Sequence, residues 1–174
     1  MLGFSRFLEK QIEFIEERKR KEQEEPTTIP FVRPNLTSNG ALGGNAFAVS
    51  SDCITRSKYA AYYAVSGDSA HHAWMSDSTT SECRYIFYNP QKLKVSKIVN
   101  TYYSSTYSAQ NVLIEGSDDR RTWQQIGLYS ASAASGTQTL NVNSTKFFKY
   151  HKLTFKKSVI RISDIAITAE QLVE

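Results

Sequence analysis

The segment FFKYHKLTFKKSVIRISDIAIT, residues 147–168, decides the fold. Its aromatic and branched side chains recur with a period of two, which is typical of strands that bury one face. The residues that share one face of the first half are Phe147, His151, Leu153 and Phe155, and those on the other face are Phe148 and Tyr150. We therefore predict strands at Phe147–Phe155 and Ser158–Thr168, separated by a turn at Lys156–Lys157.

The second of these strands changes parity half-way along. Ile160 and Ile162 share a face, whereas Ile165 and Ile167 have the opposite parity. One extra residue in the strand would bring all four side chains to the same side. The pattern therefore predicts a β-bulge near Ser163–Asp164.

Similar short runs recur over the rest of the chain, separated by clusters of Gly, Ser, Asn and Asp. They are Tyr85–Tyr88, Leu93–Tyr103, Asn111–Glu115, Trp123–Tyr129 and Gln138–Val142. No helical pattern intervenes, and the 10 Tyr and 9 Phe favour half-buried strands. This organisation predicts a mainly β fold, a jelly-roll β-sandwich, preceded by one α-helix.

The helix is predicted over residues 3–25, which are rich in Glu, Lys, Arg and Gln and contain no Pro. Its apolar face is formed by Phe4, Phe7, Leu8, Ile12 and Ile15. Because so short a helix is marginal alone, this face needs a partner. We expect it to anchor the chain on another protein or to self-associate, with a trimer as one arrangement. The alternative is packing against its own domain.

Three regions follow from these patterns. Residues 1–25 form the anchor helix, residues 26–45 form a linker and leading loop rich in Pro, Thr, Asn and Gly, and residues 46–174 form the sandwich. The net charge of +4 is mild, and basic residues are not interleaved with aromatic ones, which disfavours a nucleic-acid partner. We find neither a membrane-spanning apolar run nor a secretory signal, so we expect synthesis in a cytoplasm unless a leader has been removed. Cys53 and Cys83 are then expected to be half-buried thiols.

Four stretches, in order and at a similar spacing, resemble the discoidin domains, also called coagulation factor V/VIII type C domains, and the related galactose-binding-like carbohydrate-binding modules. They are Asn35–Gly40 with Ala48–Ser51, Ala60–Gly67 with Trp74–Ser76, Asn111–Asp119 with Thr122–Trp123, and Tyr150–Leu153 with Ile162–Ile165. The resemblance covers roughly residues 35–168. It implies a jelly roll that binds glycans, lipids or protein surfaces through loops at one end. It also implies that Trp74 and Trp123 pack in the core.

Two positions depart from the family pattern. Many members carry an Asp that helps to hold a structural calcium ion, where this chain has Ser66. Asp52 and Asp68 are the nearby carboxylates that could serve instead, so calcium is the one cofactor we consider. A turn that usually ends in Gly has Arg120 here, which would be strained if its φ is positive.

A sugar site needs an exposed aromatic plate beside fixed donors and acceptors. The stretch NTYYSSTYS, residues 100–108, offers tyrosines among small polar residues. The candidate ligand-binding residues are Tyr102, Tyr103 and Tyr107 in this stretch, His71, His72 and Arg84 in a second loop region, and Arg120 and Arg121 at a hairpin tip. The alternatives are that the tyrosines pack along a strand and that the histidines are ordinary surface residues.

An enzyme is disfavoured, because no metal-ligand spacing or nucleophile motif is found. A helix without a leader, followed by one sandwich, is typical of bacteriophage virion proteins. We therefore expect a non-catalytic virion surface protein, such as a head fibre, decoration or tail accessory protein, that binds carbohydrate or the host surface. Its helix would attach it to other virion proteins. The alternatives are a purely structural virion cement protein and an extracellular carbohydrate-binding module of a cellular or secreted protein.

Overall fold

The computed structural model describes residues 2–23, 26–52, 60–68, 73–76, 81–131, 136–157 and 159–173. In these ranges helix α1 spans Leu2–Gln23, and short 3-10 helices span Ala61–Val65 and Ser105–Tyr107. The strands are β1 (Thr28–Pro30), β2 (Ala48–Ser51), β3 (Trp74–Met75), β4 (Cys83–Tyr102), β5 (Asn111–Ser117), β6 (Gln124–Ser130), β7 (Thr137–Asn141), β8 (Phe148–Phe155) and β9 (Arg161–Leu172). The predicted mainly β fold with an N-terminal helix is confirmed.

Strand β4 belongs to both layers of the sandwich. Its first half pairs with β2 and β8, and its second half pairs with β7 and β9. The register with β8 shifts between Tyr88 and Leu93, a stretch that contains Pro90, which has no N–H to donate. The first layer therefore has the order β2–β4–β8–β5–β6. The second layer has the order β7–β4–β9, with β1 and β3 also paired to β9, and every pair is antiparallel.

The strand register defines two ends of the sandwich. At the first end Tyr102 lies opposite Ile162, and this is where β4 runs into β5; we name it the loop end. At the other end Thr28 lies opposite Leu172. Because β1 is the first strand after α1, the chain arriving from the helix joins the sandwich there, and we name it the helix end.

The core lies between the two layers and includes Trp74, which has no exposed surface. Its ring centroid is 5.0 Å from that of Tyr85. The prediction of a buried Trp74 is therefore confirmed, whereas Trp123 is half-buried on the outer face of the first layer, so its predicted place in the core is wrong. Cys83 is fully buried rather than half-buried, and Cys53 lies outside the described residues.

The predicted bulge in β9 is confirmed. Thr101 lies opposite Asp164 and Tyr102 lies opposite Ile162, so Ser163 is the extra residue. The four side chains that it brings into the core are Ile160, Ile162, Ile165 and Ile167.

At the start of β8 the predicted parity is wrong. Phe148 is buried and meets the ring of His151 edge-on at 6.2 Å, whereas Phe147 is half-buried with the Lys94 ammonium 5.4 Å from its ring. The cause is the corner of β4, where the pairing jumps from Tyr88 to Leu93 and the strand start turns inward. A Cβ on Gly116 would lie 2.6 Å from Cγ of Phe148, so only glycine leaves room for this ring.

Helix α1 keeps its apolar side chains in solvent. All described side chains from residue 7 to residue 19 are exposed, with Phe7 at 59% and Ile12 at 55%. Packing of the helix against its own domain is therefore wrong for these residues, and the side chain of Phe4 lies outside the described set. Within the described ranges, no helix is both long enough and apolar enough to cross a bilayer.

Candidate functional site

Residues 103–110, between β4 and β5, form a surface at the loop end, which we name the tyrosine loop. Its 3-10 turn is closed locally, because the Tyr107 N–H donates to the Ser104 carbonyl at 3.1 Å. Both the N–H and the hydroxyl of Ser108 donate to the Ser105 carbonyl, at 3.1 and 2.9 Å. These hydrogen bonds therefore restrain the backbone that carries the side chains of this turn.

The tyrosine loop is also tied to the connection between β8 and β9. The Lys157 ammonium donates to the carbonyls of Thr106 at 2.6 Å and Ser108 at 2.9 Å. The Tyr103 N–H donates to the Arg161 carbonyl at 3.0 Å. These contacts join segments about fifty residues apart in the sequence, and they hold the loop before any ligand arrives.

A buried polar pair supports the loop from below. The Tyr102 hydroxyl donates to Gln138 Oε1 at 2.6 Å, and Gln138 Nε2 donates to the carbonyl of Ala109. Burial raises the pKa of the Tyr102 phenol well above its usual range, so the group stays a neutral donor. Because Tyr102 is only 4% exposed, its predicted contact with ligand is wrong. It supports the loop instead.

Tyr103 is the aromatic side chain that the loop presents to solvent. It is 57% exposed, and the guanidinium carbon of Arg161 lies 3.5 Å from its ring centroid. The cation stacks on the electron-rich ring and restrains it, which keeps an apolar plate beside several N–H donors. Tyr107 lies on the same loop and is half-buried. This arrangement suits a ligand that has both an apolar face and hydroxyl groups.

The remaining predicted residues are not gathered around this plate. His71 and His72 lie outside the described residues. Arg84 stands on the outer face of the first layer, where its guanidinium binds Asp52 at 3.0 Å. Arg120 and Arg121 are exposed in the β5–β6 turn at the helix end, as predicted, whereas Arg84 lies on β4 and not in the predicted loop. The three arginines and the tyrosines therefore do not form one site.

The side chains considered for calcium, Asp52, Ser66 and Asp68, are described in the structure. Both carboxylate oxygens of Asp52 accept hydrogen bonds from Arg84, each at 3.0 Å. The Ser66 hydroxyl donates to the Tyr63 carbonyl at 3.1 Å and accepts from the Asp68 N–H at 3.3 Å. No group of three His, Cys, Asp or Glu side chains converges in the described part of the chain. Calcium binding stays a prediction.

Several solved structures with a similar fold are carbohydrate-binding modules. The module CpGH89CBM32-5 from Clostridium perfringens, in complex with GalNAc-β-1,3-galactose, is 11% identical; the match covers 70% of this chain and 94% of that one, with a TM-score of 0.60. The family 32 module of C. perfringens NanJ, in complex with galactose, is 14% identical over 71% and 93%, with a TM-score of 0.59. The chain has the galactose-binding-like fold.

A further structure with the galactose-binding-like fold is the C-terminal domain of a chitobiase from Bacteroides fragilis. It is 18% identical, covers 74% of this chain and 95% of its own, and has a TM-score of 0.62. No protein-family model and no curated protein matches the sequence. The predicted resemblance is therefore confirmed for the fold.

Sequence reasoning missed three residues that shape the tyrosine loop: Lys157, Arg161 and Gln138. Each acts on the loop through pairing between distant segments, as in the contact of Arg161 with Tyr103. The one usable signal was Arg161 itself, a cation between Ile160 and Ile162 in a predicted strand.

Proposed function

We propose that this chain is a non-catalytic carbohydrate-binding protein whose tyrosine loop takes a sugar. The observation that carries the proposal is the exposed ring of Tyr103, restrained by the Arg161 guanidinium at 3.5 Å on a loop fixed by hydrogen bonds. The galactose and GalNAc-β-1,3-galactose held by modules of the same fold support a sugar as the ligand class.

The chemistry of the proposed site follows from these groups. The C–H face of a pyranose ring would stack on Tyr103, which removes apolar surface of both partners from water. The exposed residues Ser105 and Thr106 offer hydroxyl donors and acceptors for sugar hydroxyls. One such contact gives weak binding, which several copies on one particle or surface would strengthen by avidity.

Titration calorimetry with galactose and with N-acetylgalactosamine tests this proposal, together with a glycan array that covers other sugars. Tyr103→Ala should weaken binding at least tenfold, because it removes the stacking surface, whereas Tyr103→Phe should retain most of it. Val32→Ala is the matched control, since Val32 is 84% exposed and outside the loop. Unchanged binding in Tyr103→Ala, or no binding to any sugar by the wild-type chain, would contradict the proposal.

We also propose that α1 attaches the sandwich to a partner chain or to further copies of itself. The exposed apolar side chains at Phe7, Leu8 and Ile12 favour this role, because water contact with such a face is costly. Light scattering of the full chain and of Phe7→Ser with Ile12→Ser tests self-association. If the full chain is a monomer and the substitutions do not change its mass in solution, the partner of α1 is a different chain. Co-purification from the source particle or cell would identify that chain.

The biological setting that we predict is a virion surface, with a cement protein as the purely structural alternative. A carbohydrate-binding module of a cellular or secreted protein agrees equally well with the solved neighbours. Mass spectrometry of purified particles, compared with the culture supernatant, separates these settings.

A further inference from the structure

A second concave surface lies on the outer face of the first layer, and the tyrosine loop takes no part in it. We name it the sheet groove; its volume is about 380 Å³. Its floor contains Thr154 and Leu113, which lie directly opposite each other on β8 and β5, together with Ile86 on β4. The side chain of Thr154 is short and buried, whereas the surrounding side chains are longer. The difference in length forms a depression that crosses the strands.

The rim of the groove nearer the loop end is built from ion pairs. The Lys156 ammonium binds Glu82, and Glu82 also lies 3.8 Å from the Arg84 guanidinium. Hydrogen bonding and charge from Lys156 lower the pKa of Glu82, so this carboxylate stays ionised. Paired groups of this kind offer both donors and acceptors along one edge.

The charged side chains of the opposite rim are less exposed. The Lys152 ammonium lies 2.8 Å from Glu115 and 4.1 Å from the centroid of the Trp123 ring. The side chains of Lys152 and Glu115 are only 14% and 16% exposed. Because Lys152 contacts both Glu115 and Trp123, the rim keeps Trp123 in place beside the apolar floor.

Arg120 is the groove-lining cation that forms no ion pair within the described part of the chain. Its φ is 63°, the only positive value at a described residue other than glycine. The Ser117 hydroxyl accepts from the Arg120 N–H at 3.0 Å, and Asp119 accepts from the Thr122 and Arg121 N–H groups at 2.8 Å each. The turn therefore holds this residue in a conformation that glycine adopts at lower cost, with a guanidinium at the groove that has no ion-pair partner among the described residues.

We propose that the sheet groove binds an acidic oligosaccharide, with the carboxylate or sulfate of one sugar on Arg120 and sugar rings along Leu113 and Trp123. The proposal rests on the carbohydrate-binding function proposed above. A planar guanidinium binds such anionic groups through two parallel hydrogen bonds. The groove crosses from β2 to β5, which is about 14 Å at the usual strand spacing and suits roughly three sugar units.

Calorimetric titration with a galacturonic acid tetrasaccharide, its neutral galactose counterpart and a sulfated galactose tetrasaccharide tests the groove. Arg120→Asn should weaken binding of the acidic chain about tenfold, because asparagine tolerates the left-handed conformation and lacks the charge. Lys97→Asn is the matched control, since it removes one exposed positive charge from the second layer. Leu113→Gln should also weaken binding, with the Trp123 fluorescence response reduced.

The variants separate this proposal from the tyrosine loop. Acidic binding that survives Tyr103→Ala and falls in Arg120→Asn supports the groove, and the preferred acid, uronate or sulfate, identifies the anionic group. Loss in Tyr103→Ala with no change in Arg120→Asn overturns the groove while the carbohydrate proposal stands. Equal effects of Arg120→Asn and Lys97→Asn also overturn it. Absence of binding to every sugar by the wild-type chain overturns both proposals.

Discussion

The wild-type protein is expected to lose stability when the pH is lowered from 7 to 5, and replacing His151 by leucine should prevent this loss. His151 has no exposed surface, and its ring stacks on that of Phe87 at 4.9 Å, with 8° between the planes. Neither ring nitrogen has a hydrogen-bond partner among the described residues. Burial lowers the pKa of this imidazole to about 3, so it stays neutral in the folded protein.

The magnitude follows from proton binding to the two states. In the unfolded chain a histidine titrates near a pKa of about 6.5, so at pH 5 it is almost fully protonated. Because the unfolded state then binds more protons than the folded state, the free energy of unfolding falls as the pH falls. The loss between pH 7 and pH 5 is about 2 kcal/mol, and it continues until the folded imidazole itself accepts a proton near pH 3.

Urea unfolding at pH 7 and pH 5, followed by tryptophan fluorescence, measures this difference. The wild-type protein should lose about 2 kcal/mol more than His151→Leu over that interval. His71 and His72 are present in both proteins, so their contribution cancels in the comparison. His151→Phe, which keeps the aromatic contact with Phe87, provides a second neutral replacement. The reasoning is refuted if both replacements lose as much stability as the wild type.

Three further substitutions test the packing and the turns. Gly116→Ala should lower the free energy of unfolding by about 1–3 kcal/mol in urea titrations, because its Cβ would clash with Phe148; an unchanged midpoint would contradict the described contact. Gln138→Leu should cost about 1–3 kcal/mol and speed amide hydrogen exchange in the tyrosine loop, since Tyr102 loses its acceptor; unaltered exchange would show that the loop is held without it. Arg120→Gly should raise the thermal midpoint slightly, because relief of the strained φ adds up to about 1 kcal/mol to the free energy of unfolding. A lower midpoint would mean that the turn is unstrained.

Much of the fold was predictable, because it depends on local periodicity. The parity change between Ile162 and Ile165 is visible in the sequence, and the structure places the bulge at Ser163. The helix was equally predictable, as its composition and Pro26 fix its extent to within a few residues. β1, β2 and β3 were missed, since strands of two to four residues are too short to show a period.

The site was less predictable, because a single irregularity reverses which side chains face the core. The pairing of β4 with β9 shifts between Val95 and Lys97, so Tyr102 turns inward and Tyr103 outward. Leu93 and Val95 share a face and Ile98 has the opposite parity, but the adjacent Val99 makes the position of the shift ambiguous in the sequence. The acceptor that allows a buried phenol, Gln138, lies on a strand 36 residues away. Buried polar groups require such partners, which only the assembled strands supply.

The sheet groove depends on strand order, which periodicity does not encode. Thr154 and Leu113 become neighbours because β8 lies beside β5, although about forty residues separate them in the chain. Arg84 was assigned to a loop and lies on a strand, where its side chain points away from the core. The sequence indicated Arg84 and Arg120 as candidate ligand-binding residues, but not that they border the same depression.

The continuous course of β4 through both layers has a consequence for how the sandwich opens. A layer cannot separate from its partner while this strand stays intact, because Tyr85 and Ile98 are buried in the same core. Local fraying is therefore confined to strands that have one neighbour, such as β6 at the outer edge of the first layer. Amide protons along β4 should exchange together, in a single event with the free energy of complete unfolding.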